Sequence, residues 1–169
     1  PDGLRLPGED DAEFSAAAVP ASAVALLMYT SGTTGMPKGV MLTQANLVAN
    51  ALAITAEHQL TPADRVLGVL PLYHINAFAV TMLAPLASGG SVAMAPRFSA
   101  ARFWAQAMDT HCTWLNFVPT IASYLIEAQG GAPSREALAG IRLARSASAA
   151  LPPEHLIAFE QRFGIGVVA

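Results

Sequence analysis

One stretch of this chain gathers residue types suited to holding an anion: Tyr29-Thr30-Ser31-Gly32-Thr33-Thr34-Gly35-Met36-Pro37-Lys38-Gly39. It follows an apolar run, Val24-Ala25-Leu26-Leu27-Met28, whose pattern predicts a buried strand. Gly32 and Gly35 permit sharp turns and let backbone N–H groups come close to a ligand. Successive N–H groups in such a turn form a concave nest for phosphate oxygens. Thr30, Ser31, Thr33 and Thr34 add hydroxyl donors, and Lys38 adds a compact, mobile positive charge. The order is not that of a Walker-type loop. Counted from Gly32, Pro37 holds the second glycine position, and Gly39 rather than Ser or Thr follows Lys38. Gly39-Val40-Met41-Leu42 reads as a second strand. The loop is therefore expected to join two strands with no helix dipole behind it, leaving hydroxyls, amides and Lys38 to grip the anion.

A second candidate is His74, in Pro71-Leu72-Tyr73-His74-Ile75-Asn76. It follows the apolar strand Val66–Leu70, and α/β sheets place ligands beyond the carboxyl ends of their strands. A helix-entry histidine bonded to backbone fits the same position. Ser146-Ala147-Ser148-Ala149-Ala150-Leu151 reads as a small-residue strand-to-helix loop. His58 is expected near a helix end, where a cation is favoured, and His111 and His155 on helix surfaces. Cys112, beside Trp114 in an apolar stretch, reads as a core residue. No His, Cys, Asp or Glu spacing suggests a built-in metal site.

These residues need a scaffold. Thr43 can cap a helix reaching about His58, with Leu47, Val48, Ala51, Leu52 and Ile54 as its apolar stripe. A helix is expected from about Ala77 to Ala87, ended by Gly89-Gly90, and then a short strand, Ser91 to Met94. Ser99 starts a helix to about His111 with Phe103, Trp104 and Ala107 inward. Thr113 to Val118 is a strand, and Pro119 opens a helix carrying Ile121, Ala122, Tyr124 and Leu125. Ile141 to Ala144 is a strand, Pro152-Pro153-Glu154 opens a helix to about Phe163, and Gly164 to Ala169 begins another strand. Strand–helix alternation from Val66 onward predicts an α/β fold, a mostly parallel sheet with helices on its faces. Residues 1–22 read as a leader with an acidic cluster, and 23–169 as one incomplete domain.

The 169 residues are 53% hydrophobic and 12% charged, about half the charge of an average globular chain. Much of the surface is thus suited to burial: the chain is a piece of a larger protein or it oligomerises. Net charge is −3 with scattered Lys and Arg, so no basic face for nucleic acid exists. A single cysteine excludes an internal disulfide and suits a reducing, cytoplasmic setting. The long charge-free stretches carry Pro, Gly and polar residues, which argues against transmembrane segments.

Over Thr30 to Gly39 the chain resembles the phosphate-binding loop of the adenylate-forming enzymes, which include acyl- and aryl-CoA synthetases, luciferases and peptide-synthetase adenylation domains. Pro71-Leu72-Tyr73-His74 is similar to a core motif of that family, and Ser146–Leu151 to its adenine-side segment. The resemblance implies two steps. A carboxylic acid attacks the α-phosphate of ATP to give acyl-AMP and pyrophosphate, and the CoA thiol then displaces AMP. It implies that the hydroxyl loop and Lys38 hold the departing phosphates, while His74 positions the carboxylate or the adenylate phosphate. Ala147, Ser148 and Ala149 would lie against adenine, Asn76 would face the acyl group, and Phe117 would line the acyl pocket, although Phe117 and Val118 equally fit plain core. Mg²⁺ would arrive on the nucleotide. The segment departs from the family pattern at Ala147, where Gly is usual, and at Ala150, where Pro is usual. The absence of a Phe-Asp pair near His74 favours a CoA synthetase over a carrier-loading adenylation domain. A non-catalytic nucleotide-binding module is the third reading. The chain stops short of the family's Tyr-Gly-x-Thr-Glu motif, its ribose-binding Asp and its mobile domain with the catalytic Lys, so the isolated piece is expected to be inactive.

Overall fold

The computed structural model describes residues 17–30, 36–128 and 132–169. The first unit is an antiparallel hairpin of β1 (Val24–Thr30) and β2 (Lys38–Thr43). Helix α1 (Gln44–Glu57) follows directly. Thr43 caps it as expected: its Oγ1 accepts from the Asn46 amide at 3.2 Å, while the Asn46 side chain accepts from the Thr43 amide at 3.0 Å.

The remaining strands form one parallel sheet. They are β3 (Arg65–Gly68), β4 (Ser91–Met94), β5 (Trp114–Phe117), β6 (Leu143–Ser146) and β7 (Val167–Val168). Their spatial order is β4-β3-β5-β6-β7. The intervening helices are α2 (Ala84–Ala87), α3 (Ala100–Asp109), α4 (Pro119–Glu127) and α5 (Pro153–Phe163). Successive strands add first to one side of β3 and then to the other, so the sheet has a topological switch between β3 and β5.

Side chains alternate between two faces, and both are covered. Leu67, Leu115, Phe117 and Ala144 join Phe103, Trp104, Phe159 and Phe163 in the larger core. Val66 and Trp114 face the smaller core with Ile54, Leu60, Val80 and Ala84. Each fully buried Phe or Leu contributes roughly 1.5–3 kcal/mol. The same alternation puts Asn116 beyond Trp114, and Arg145 beyond Leu143, on the smaller-core face.

The helix expected from Ala77 has an unforeseen form. Ala77–Leu83 is wound as a π-helix, and the Ala84 amide reaches back to the Ala79 carbonyl. The wide turn lies against β3 because Gly68 has no side chain. A Cβ there would come within 2.8 Å of Met94 Sδ and 3.0 Å of Thr81 Cγ2.

Several sequence expectations are corrected. Val24–Met28 is not a buried strand: Val24 is 55% and Leu27 51% exposed, because among the described residues only α1 packs on the hairpin. Val48 and Leu52 of the α1 stripe also face outward, leaving Ala51 and Ile54 as its buried residues. Tyr124 is exposed and stacks on Phe98, while Ile121, Ala122 and Leu125 point inward as expected. His58 is buried beside Trp114, with ring centroids 6.0 Å apart. Burial, with a smaller contribution from Arg145, lowers its pKa, so this histidine is not a helix-end cation. No helix among the described residues is long and apolar enough to cross a membrane.

Candidate active site at the switch point

The carboxyl ends of β3, β5 and β6 converge on a cavity of about 380 Å³. His74, Ile75, Asn76, Val118 and Ser148 are among the residues that line it. The switch between β3 and β5 opens this space, since the connections after these two strands leave to opposite faces of the sheet.

His74 stands on the turn after β3. Its amide donates to the Pro71 carbonyl at 3.1 Å, and its own carbonyl accepts from Phe78 at 3.0 Å as the π-helix begins. The backbone therefore holds the residue at the helix entry while the exposed ring lies 4.5 Å from Tyr73. Ser148, on the loop after β6, has φ +75°, a left-handed conformation costly for a residue with a Cβ. The Ala147 amide before it donates to the Phe117 carbonyl at 3.2 Å, anchoring the loop to β5. Ala149 is exposed next to it. Ala147, Ser148 and Ala149 thus border one rim of the cavity through Ser148, and His74 and Asn76 border the other.

Asn76 is the outer member of a polar cluster that sequence reading did not assemble. Arg145 Nη1 donates to Asn76 Oδ1 at 2.9 Å and lies 3.4 Å from Asn116 Oδ1. Asn116 Nδ2 donates to Thr81 Oγ1 at 2.9 Å and lies 3.5 Å from Asn76 Oδ1. An asparagine within the otherwise apolar strand Trp114-Leu115-Asn116-Phe117 was the available signal, since a polar side chain in a fully buried strand must have partners. Phe117 takes the core alternative, fully buried against Phe159 with centroids 5.2 Å apart, and its neighbour Val118 reaches the cavity.

The anion loop divides. Thr30 and Lys38 close the hairpin as a register pair, with Thr30 Oγ1 3.5 Å from the Lys38 carbonyl. Lys38 is exposed, and the one ion pair among the described residues joins Arg142 and Asp64 instead. Ser31, Gly32, Thr33, Thr34 and Gly35 lie outside the described residues. The loop is flanked by two paired strands, as expected. Among the described residues no cluster of three or more His, Cys, Asp or Glu fits a metal such as Mg²⁺.

A parallel sheet with its cavity at the switch point defines an α/β ligand-binding domain of the doubly wound type. The model of the family described as AMP-binding enzyme matches residues 3–169, and the chain belongs to that family. It is 57% identical to the sulfoacetate–CoA ligase of Cupriavidus necator, over 99% of this chain and 33% of that protein. It is 39% identical to the oxalate–CoA ligase of Arabidopsis thaliana, over 85% of this chain and 28% of that protein. Its fold matches a malonyl-CoA ligase solved as a ternary product complex with methylmalonyl-CoA and AMP. That match has a TM-score of 0.82 at 34% identity, covering 90% of this chain and 33% of the other. The chain spans about a third of the length of these relatives, which are CoA ligases.

Proposed function

We propose that this chain belongs to an ATP-dependent CoA ligase and supplies its phosphate loop and the floor of its acid site. The observation that carries the reading is the cavity at the sheet switch point, bordered by His74, Asn76 and Ser148.

The first step joins two anions, a carboxylate and a triphosphate, so charge neutralisation and alignment must supply most of the acceleration. Lys38 and the hydroxyl loop between Thr30 and Lys38 hold the β- and γ-phosphates that leave as pyrophosphate. His74, fixed by its backbone at the cavity mouth, orients the carboxylate toward the α-phosphate. The loop of Ala147, Ser148 and Ala149 offers a rim of small side chains on which the flat adenine rests. The resulting acyl-AMP is then attacked by the CoA thiol with release of AMP. No step requires a covalent enzyme intermediate, and Cys112, buried with its thiol pKa raised by burial, is not a nucleophile. Mg²⁺ would be held mainly by the nucleotide's phosphates and water, where it would neutralise phosphate charge.

ATP–pyrophosphate exchange with a panel of carboxylic acids tests this in the full-length ligase. Lys38→Ala is expected to lower exchange on the order of 100-fold. Unchanged exchange in that variant contradicts the assignment. The isolated 169-residue chain is expected to release no pyrophosphate, since it spans a third of its relatives.

A further inference from the structure

The polar cluster beneath the cavity holds a charge that the reaction as described does not use. Arg145 is half-buried on β6. Its guanidinium meets two amide oxygens, those of Asn76 and Asn116, and among the described residues no carboxylate pairs with it. Guanidinium only donates hydrogen bonds, so the Asn76 amide must turn its oxygen toward Arg145. Its nitrogen then points away from the guanidinium, and Asn76 Nδ2 is buried without a partner. Asn76 itself lines the cavity. One contact from the cavity there is thus an uncompensated positive charge. Neither feature is explained by packing. An apolar side chain would fill a strand position at lower cost, and a buried charge left unpaired is unfavourable. Desolvation also lowers the Arg145 pKa, as expected for a cation lacking an anion.

We propose that Arg145, acting with Asn76, selects acids that carry a second anionic group, a carboxylate or a sulfonate, at the end remote from the reacting carboxylate. This rests on the ligase reading above. The second anion enters the cavity beside Asn76, with the Arg145 guanidinium on the far side of that amide. It supplies the charge that Arg145 lacks. His74, on the same turn but closer to the cavity mouth, holds the reacting carboxylate. A monocarboxylic acid of equal length leaves Arg145 without a counter-charge, so it binds weakly. His58, just past the end of α1, has its pKa lowered by burial and by Arg145, so it adds no competing cation.

The test uses the full-length protein, with malonate and sulfoacetate as dianionic probes and propionate as the monoanionic control. Acid binding is measured by calorimetry, and activation by ATP–pyrophosphate exchange. In Arg145→Gln, KM and Kd for the dianionic acids are expected to rise about 100-fold with little change in kcat, while propionate is unaffected. Arg145→Lys is expected to recover part of the loss. Equal losses for both acid classes, or dianion affinity unchanged in Arg145→Gln, overturn the proposal. The outcomes separate the two claims. Dianion binding that depends on Arg145 without any exchange by the wild-type protein sinks the ligase reading and leaves the anion site standing. Exchange indifferent to Arg145 does the reverse.

Discussion

Arg142, just before β6, and Arg145, near its carboxyl end, stand three positions apart and meet opposite surroundings. At the amino end of the sheet, Arg142 Nε donates to Asp64 Oδ1 at 2.8 Å. The same carboxylate accepts from Thr113 Oγ1 at 2.7 Å and from the Thr61 amide and hydroxyl at 2.8 and 3.0 Å. At the carboxyl end Arg145 has only amide oxygens. The first arginine completes a closed network that ties the turn before β3 to β5 and β6. The second is left open beside a cavity. Here the saturated network belongs to the scaffold, and the incomplete one lies beside the cavity.

This contrast can be broken most directly at Asp64. Asp64→Ala removes the shared acceptor and strands Arg142, Thr113 and Thr61, and is expected to cost about 3–5 kcal/mol in denaturant unfolding. Acid specificity should be untouched, because the network lies at the far end of the sheet from the cavity. A smaller effect comes from pH. Burial alone would raise the Asp64 pKa, but the hydrogen bonds from Arg142, Thr113 and Thr61 outweigh it and hold the pKa at about 2. The folded-state value lies below the ordinary 3.8, so the stabilisation is present above that pH. It is lost as pH falls toward about 2, with a magnitude of about 2 kcal/mol. Asp64→Asn should flatten this acid limb in a pH series of melting curves. At the cavity, Ser148→Gly relieves a left-handed φ and is expected to raise stability by up to about 1 kcal/mol. The smallest change is expected from Arg145→Gln. Removing an unpaired cation should shift unfolding by less than about 1 kcal/mol, despite its large effect on acid selection.

The sheet and its helices were legible because each element announced itself by period and boundary. Pro119 and Pro153 open helices, Gly164 closes one at φ +71°, and apolar runs mark β3 and β5. The hairpin was legible as two strands but not in its burial. Apolar content alone cannot say which face will be covered, and Leu27, Met41, Val48 and Leu52 stay more than half exposed. His74, Asn76 and Ser148 could be anticipated from motif resemblance, and the fold brings them to one cavity. Arg145, Asn116 and Thr81 could not be linked by spacing. They come from two strands and a π-helix, and their contact depends on strand register and on the missing side chain of Gly68. Phe117 and Val118 show how one position decides between core and site: consecutive residues at a strand end point opposite ways.

The most direct test of the acid-activating site is a crystal structure of the full-length protein with a non-hydrolysable acyl-sulfamoyl adenosine. The expected result places the acyl group in the cavity between His74 and Asn76, with adenine against Ala147, Ser148 and Ala149. An inhibitor bound elsewhere, with this cavity empty, contradicts the assignment.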